Sequence, residues 1–177
     1  MSGFKEDERR RARELALEHW ERGDATGWFD KLYKEAAAGE TVIPWADMVP
    51  NRFFKAWAEA HGLKGEGRKA LVIGCGFGDD AVYLAELGFD VTAFDISETA
   101  IDRARELHEG SGVNFTAADL LSPPGEWIRA FEFVLEIYTI QPLPMELRPT
   151  VIDSVASLVA PGGRLVVVTR SRPDDVE

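Results

Sequence analysis

Residues 71–95, LVIGCGFGDDAVYLAELGFDVTAFD, carry the pattern that decides the fold. An apolar run ends in a turn with glycine at 74, 76 and 78. DDAVYLAELG has the look of a helix closed by Gly88, and DVTAFD then reads as a second strand ending on Asp95. A short, fully apolar strand is buried on both faces, which is the habit of parallel sheets. Glycines directly after such a strand let the backbone turn tightly and come close to a ligand. An acid at the end of the next strand stands where carboxylates meet ribose hydroxyls.

The same rhythm continues downstream. SETAIDRARELHEG is expected to be a helix with Ser97 as its N-cap. VNFTAAD and FEFVLEI read as strands three and four, MELRPTVIDSVASLVA as a helix, PGG as a stop, and RLVVVT as strand five. Strands alternating with helices imply right-handed crossovers and a parallel sheet. The expected fold is therefore α/β, a Rossmann-like doubly wound sheet. Upstream, the residues around 5–22, WFDKLYKEAAA and the Phe53, Phe54, Trp57 set have helical spacing, and TVIPWADMVPN reads as a loop. This gives an N-terminal helical cap over 1–62 and a ligand-binding core over 63–177. Eight residues follow the fifth strand, so the sixth and seventh strands with which many such sheets finish are missing from the pattern. An uncovered fifth strand invites edge pairing in a homodimer.

Composition narrows the function. The 177 residues carry 31 acids against 20 Lys and Arg, a formal charge of -11. Such a surface repels phosphate backbones and argues against a nucleic-acid partner. No window reaches the roughly 20 apolar residues of a membrane helix, and the charged N-terminus is no signal peptide. A cytoplasmic protein without a membrane partner is expected. Cys75 is the only cysteine and has no His or Lys beside it, so it is read as a packing residue of the turn. His19, His61 and His108 have no metal spacing.

The turn departs from the dinucleotide fingerprint G-x-G-x-x-G. Here the order is G-x-G-x-G, with Asp79 in place of the third glycine and Asp80 after it. A dinucleotide puts pyrophosphate at the helix N-terminus, where two carboxylates oppose it. S-adenosylmethionine has no phosphate and carries a sulfonium and an ammonium, which an acidic first turn accommodates. The same acids also suit a helix start on ordinary dipole grounds. Glu136 stands in an apolar strand, where an acid needs a partner. It either holds a cofactor cation or, with its pKa raised by burial, serves as a base.

Residues 69–170 resemble the class I S-adenosylmethionine-dependent methyltransferases. The likeness rests on VIGCGFG, AFDIS, AADL, FEFVLEIYTIQPLP and LVAPGGRLVVV, five pieces in order, each at an expected strand end or run-in. The resemblance implies that Gly74, Cys75, Gly76 and Gly78 line the methionine part of S-adenosylmethionine. It implies that Asp95 binds the ribose, Ile96 packs on adenine, and Asp119 with the Leu120 backbone meets the adenine edge. Asp79, Glu136 and Ile137 would lie near the ammonium and the reacting methyl. Val72 stands where many members have an acid, which leaves the ammonium's partner open between Asp79 and Glu136. Tyr138, Thr139 and Gln141 follow on the loop where substrates lie, and Trp45 is the lid candidate, with Trp28 and Arg148 read as packing and surface. The aromatic N-terminal third is similar to the thiopurine and thiol methyltransferase-like branch. The expected activity is methyl transfer to an oxygen or sulfur of a small-molecule acceptor. The alternatives are an NAD(P)-dependent oxidoreductase and a non-catalytic S-adenosylmethionine-binding protein.

Overall fold

The structure is a computed structural model, and it describes residues 2–171. Helices α1 (Ser2–Trp20), α2 (Gly27–Ala37) and α3 (Arg52–Ala60) precede the sheet. Strands β1 (Lys69–Ile73), β2 (Asp90–Asp95), β3 (Asn114–Ala117), β4 (Phe131–Ile137) and β5 (Val159–Val168) alternate with α4 (Asp79–Glu86), α5 (Glu98–Leu107) and α6 (Arg148–Leu158). The strands pair in parallel in the order β3-β2-β1-β4-β5. The chain reverses direction across the sheet between β1 and β4, which places the ligand crevice at their carboxyl ends.

The two faces of the sheet have separate cores. On one, Phe54 and Ala58 of α3, Ala81 and Leu84 of α4, and Ile101 and Ala104 of α5 close over Val72, Ala93 and Phe133. On the other, Val151, Val155 and Leu158 of α6 close over Leu71, Ile73 and Val134. Burying one such aromatic or branched side chain contributes about 1.5–3 kcal/mol. The third cluster joins α1 and α2 through Leu15, Leu32, Trp28 and Tyr33 and reaches Ala100 of α5. Of the three cap helices, then, α1 and α2 sit at the carboxyl end of the sheet while α3 is a core layer.

Local signals mostly hold. Ser97 accepts from the Ala100 amide at 3.1 Å and caps α5. Asn51 does the same for α3 through the Phe53 and Phe54 amides. Two expectations need correction. The helix expected from Met145 divides into a single 3-10 turn over Met145–Leu147 and α6, because Pro149 sits in the first turn of a helix, where its missing N–H does no harm. The stop expected at PGG lies inside β5, where the register against β4 slips between Phe131 and Phe133. A side chain at Gly163 would meet the Phe131 carbonyl oxygen at 3.0 Å, so the bulge requires glycine. Among the described residues β5 pairs only with β4, and no helix is long and apolar enough to cross a membrane.

Candidate active site

The carboxyl ends of β1, β2 and β4 converge on the glycine turn. Gly74 has φ +59, and a side chain there would lie 2.4 Å from Thr139 Oγ1. Gly78 has φ +92, and a side chain there would strike the Phe115 ring at 2.6 Å. Both positions demand glycine by conformation and by space. The Gly76 amide donates to Asp95 Oδ2 at 3.0 Å and the Ser97 amide to Oδ1 at 3.0 Å. Each carboxylate oxygen thus accepts from a backbone amide and, with two acceptor lone pairs, could take a hydroxyl hydrogen of a vicinal diol as well. Burial pushes the Asp95 pKa up, and the amides of Ser97, Gly76 and Ile96 only partly oppose it. A further donor would relieve that carboxylate, so the residues present fit a ribose.

Three more carboxylates belong to this end. Asp80 accepts from the Asn51 amide at 2.7 Å, and burial raises its pKa to about 6. Asp79 lies 4.0 Å from His108 Nε2 and is also pushed up by burial, against the pull of His108. Glu136 is fully buried, and its Oε1 accepts from the amides of Thr139 at 2.6 Å and Ile140 at 3.1 Å. Burial outweighs those two bonds and raises its pKa. Glu136 therefore folds the loop after β4 back over the turn.

That loop is firmly built. Tyr138 adopts φ +57, unusual for a bulky residue, with its amide bonded to the Val168 carbonyl and its ring under the Arg170 guanidinium. Thr139 donates from Oγ1 to the Ile73 carbonyl. The Gln141 amide group donates to the Arg170 carbonyl at 2.9 Å and accepts from the Arg170 amide at 3.0 Å. Gln141 thereby ties the loop to the segment that follows β5. Arg148 is also more than surface. It donates to the Leu143 and Gln141 carbonyls and holds the loop from below. Ile137 is half-buried beside this loop.

The adenine side is simpler. Ile96 is half-exposed next to Asp95. Asp119 accepts from the Leu121 amide at 2.8 Å, turning the chain after β3, and Leu120 is buried behind it. Cys75 packs in the turn, and burial holds its thiol protonated, with a pKa well above the usual range. Among the described residues no group of His, Cys, Asp and Glu could hold a metal ion.

Above the turn lies the cap. Asp30 of α2 accepts from Ser97 Oγ at 2.7 Å and the Thr99 amide at 3.3 Å, so the cap is docked onto the N-terminus of α5. Trp45 donates from Nε1 to the Tyr33 hydroxyl at 2.9 Å and meets Trp28, Phe29 and Tyr33 edge-on. Trp28 is packed against Phe29 as expected of a core residue. The loop 38–51 is thus pinned at Trp45 to Tyr33 of α2 and at Asn51 to Asp80 of α4. Sequence reasoning missed Tyr33 and Asp30, which look like ordinary members of an amphipathic helix. Two hollows lie elsewhere. One of about 290 Å³ is at the amino ends of the strands, lined by Lys69, Asp90 and Trp127. The other, about 700 Å³, runs between α3 and β5 from Phe53 to Tyr138.

Known proteins share this arrangement. A family model described as a methyltransferase domain matches residues 70–163, just over half of the chain. The ubiquinone biosynthesis O-methyltransferase of Sinorhizobium medicae is 32% identical over 163 residues, covering 89% of this chain and 60% of that protein. The probable S-adenosyl-L-methionine-dependent methyltransferase TehB of Haemophilus influenzae is 29% identical over 108 residues, 61% of this chain and 38% of that one. This chain therefore spans less than two thirds of the length of either relative. A structure solved for the conversion of a disulfide bond into a thioacetal group during echinomycin biosynthesis superposes with a TM-score of 0.69 at 29% identity, over 80% of this chain and 59% of that one. By sheet order, glycine turn and these matches, the chain belongs to the methyltransferase domain family, the class I S-adenosylmethionine-dependent methyltransferases.

Proposed function

We propose that this chain binds S-adenosylmethionine across the carboxyl ends of β1 and β2 and transfers its methyl group to an oxygen or sulfur of a small-molecule acceptor. The observation that carries the reading is the placement of four carboxyl groups at one end of the sheet, Asp79 and Asp80 opening α4, Asp95 ending β2 and Glu136 near the end of β4. Such a site carries a negative potential that favours a cationic ligand and disfavours pyrophosphate. The cofactor supplies a methyl already activated on a sulfonium.

The protein's own part is placement. Gly74, Cys75, Gly76 and Gly78 let the backbone approach the methionine portion, and Asp95 takes the ribose hydroxyls. Ile96 covers one face of the adenine, and Asp119 with the Leu120 backbone reads its edge. Glu136 is bonded through Oε1 to the loop amides, which supports a positioning role: it sets Ile137, Tyr138 and Thr139 against the acceptor. Aligning nucleophile and methyl supplies most of the acceleration in a displacement of this kind. A hydroxyl acceptor must also lose a proton, and water or the acceptor's own acidity would serve where Glu136 stays occupied. The acidic surface supports a small acceptor over nucleic acid.

Calorimetric titration with S-adenosylhomocysteine tests the reading, with Asp95→Ala and NADH as controls. Micromolar binding to the chain, lost in Asp95→Ala and absent with NADH, is expected. Binding of NADH in preference to S-adenosylhomocysteine would refute it. Paired phenol and thiol acceptors, assayed for labelled methyl, then decide between oxygen and sulfur.

A further inference from the structure

One polar atom of the cap stands over the site without a use in the reading above. Tyr33 is buried, at 3% exposure, and its hydroxyl accepts from Trp45 Nε1 at 2.9 Å. A side-chain carbon built on Gly76 would lie 3.1 Å from that oxygen, so the phenol sits directly above the second glycine of the turn. The Gly76 amide is the group that donates to Asp95 Oδ2. Burial first, and then the nearby Asp95 carboxylate, push the ionisation of the phenol well above its ordinary range, so it keeps its hydrogen.

Apart from the Trp45 indole N–H, the surroundings do not call for a hydroxyl. Tyr33 packs among Trp28, Leu32, Ile43 and Phe77, where phenylalanine would fill the same space. A phenol that accepts one bond has a hydrogen left to give, and leaving a donor buried without an acceptor is costly. The ribose of a nucleoside answers this chemistry. Each of its hydroxyls is donor and acceptor at once. Asp95 can only accept, so it takes the hydroxyl hydrogens and leaves their oxygens in need of a donor.

We infer that Tyr33 is a cofactor-binding residue: its hydroxyl, fixed by the Trp45 indole N–H, donates to a ribose hydroxyl oxygen opposite Asp95. This rests on the nucleoside reading of the site and deepens it.

The test titrates the full chain and Tyr33→Phe with S-adenosylhomocysteine and with 5′-methylthioadenosine, which keeps the nucleoside and lacks the amino acid. Tyr33→Phe is expected to lose about ten-fold in affinity for both ligands, the value of one buried hydrogen bond, with a small fall in thermal midpoint from the lost Trp45 bond. Wild-type affinity for both ligands in the variant overturns the inference while leaving the cofactor reading intact. A loss for S-adenosylhomocysteine alone places the hydroxyl on the amino-acid portion and overturns the ribose assignment. Failure of the unmodified chain to bind either ligand overturns both readings. Should Tyr33→Phe not fold, 3-fluorotyrosine replaces it. The chain has three tyrosines, assigned through the Tyr83→Phe and Tyr138→Phe variants, and the remaining fluorine signal must shift when 5′-methylthioadenosine is added. A Tyr33 signal unmoved at saturation overturns the inference.

Discussion

Replacing Asp80 by asparagine is predicted to stabilise the protein at neutral pH. The side chain sits in the first turn of α4 with its Oδ1 on the Asn51 amide, an acceptor role that an amide oxygen reproduces. Burial, followed by repulsion from Asp79, outweighs that bond and raises the pKa from 3.8 to about 6. The folded state therefore binds a proton more readily than the unfolded chain. Its contribution to stability is fully present below about pH 4 and is lost as pH rises through about 6. The gap between the two pKa values converts to a ceiling of about 3 kcal/mol at neutral pH. Urea unfolding of both proteins at about pH 7 and at about pH 4 measures it, since the difference isolates Asp80 from the other buried acids. Asp80→Asn should gain about 1–3 kcal/mol at the higher pH and almost nothing at the lower. Equal gains at both pH values, or none at neutral pH, would refute the argument from burial. A cost of this size kept in the first turn beside the ligand site fits the pattern in which stability is given up where function needs charge.

Four further outcomes are expected. Gly74→Ala combines φ +59 with a contact at 2.4 Å to Thr139 Oγ1, and should lose about 2 kcal/mol or more in urea. Gly110→Ala, at φ +80 in open space, should lose only about 1 kcal/mol in the same experiment. Asp30 is opposed by burial, yet bonds from Lys34, Ser97 and Thr99 draw its pKa down to about 2. Asp30→Asn should therefore cost about 1 kcal/mol at neutral pH, discounted for exposure. Because the native pKa is depressed, that difference is present above the ordinary 3.8 and disappears as pH falls through about 2. Finally, S-adenosylhomocysteine at about a hundred times its dissociation constant should stabilise the chain by about 2.7 kcal/mol, read as a rise in thermal midpoint. Asp95→Ala should show no rise under the same conditions, and a rise equal to that of the parent would remove Asp95 from the site.

The parts of the fold legible in the sequence are those written in short-range pattern. Strands β2 and β4 occupy the segments DVTAFD and FEFVLEI as read, because each is built on a short run of buried apolar residues. Ser97 reads as a cap because capping involves residues three apart. The glycine turn and Asp95 read as a pair because the helix between two parallel strands has a nearly fixed length. What was illegible depends on docking. Nothing near Tyr33 in sequence distinguishes it from Leu32, since both face inward from α2, and only the approach of Gly76 and Trp45 gives its hydroxyl a setting. Gln141 sits on the loop after β4 and has a polar side chain of the kind expected to meet a substrate. The Arg170 backbone, 29 positions away, takes both ends of its amide instead. Glu136 shows the same limit from the other side. Its burial in an apolar strand is plain from sequence, and a buried acid must have a partner, but the identity of the partner is a property of the loop's path. That path is set partly by Glu136 itself, through the Thr139 and Ile140 amides. The residues that make the site therefore also fold it, and a substitution at Glu136 should be judged by loop order before it is judged by rate.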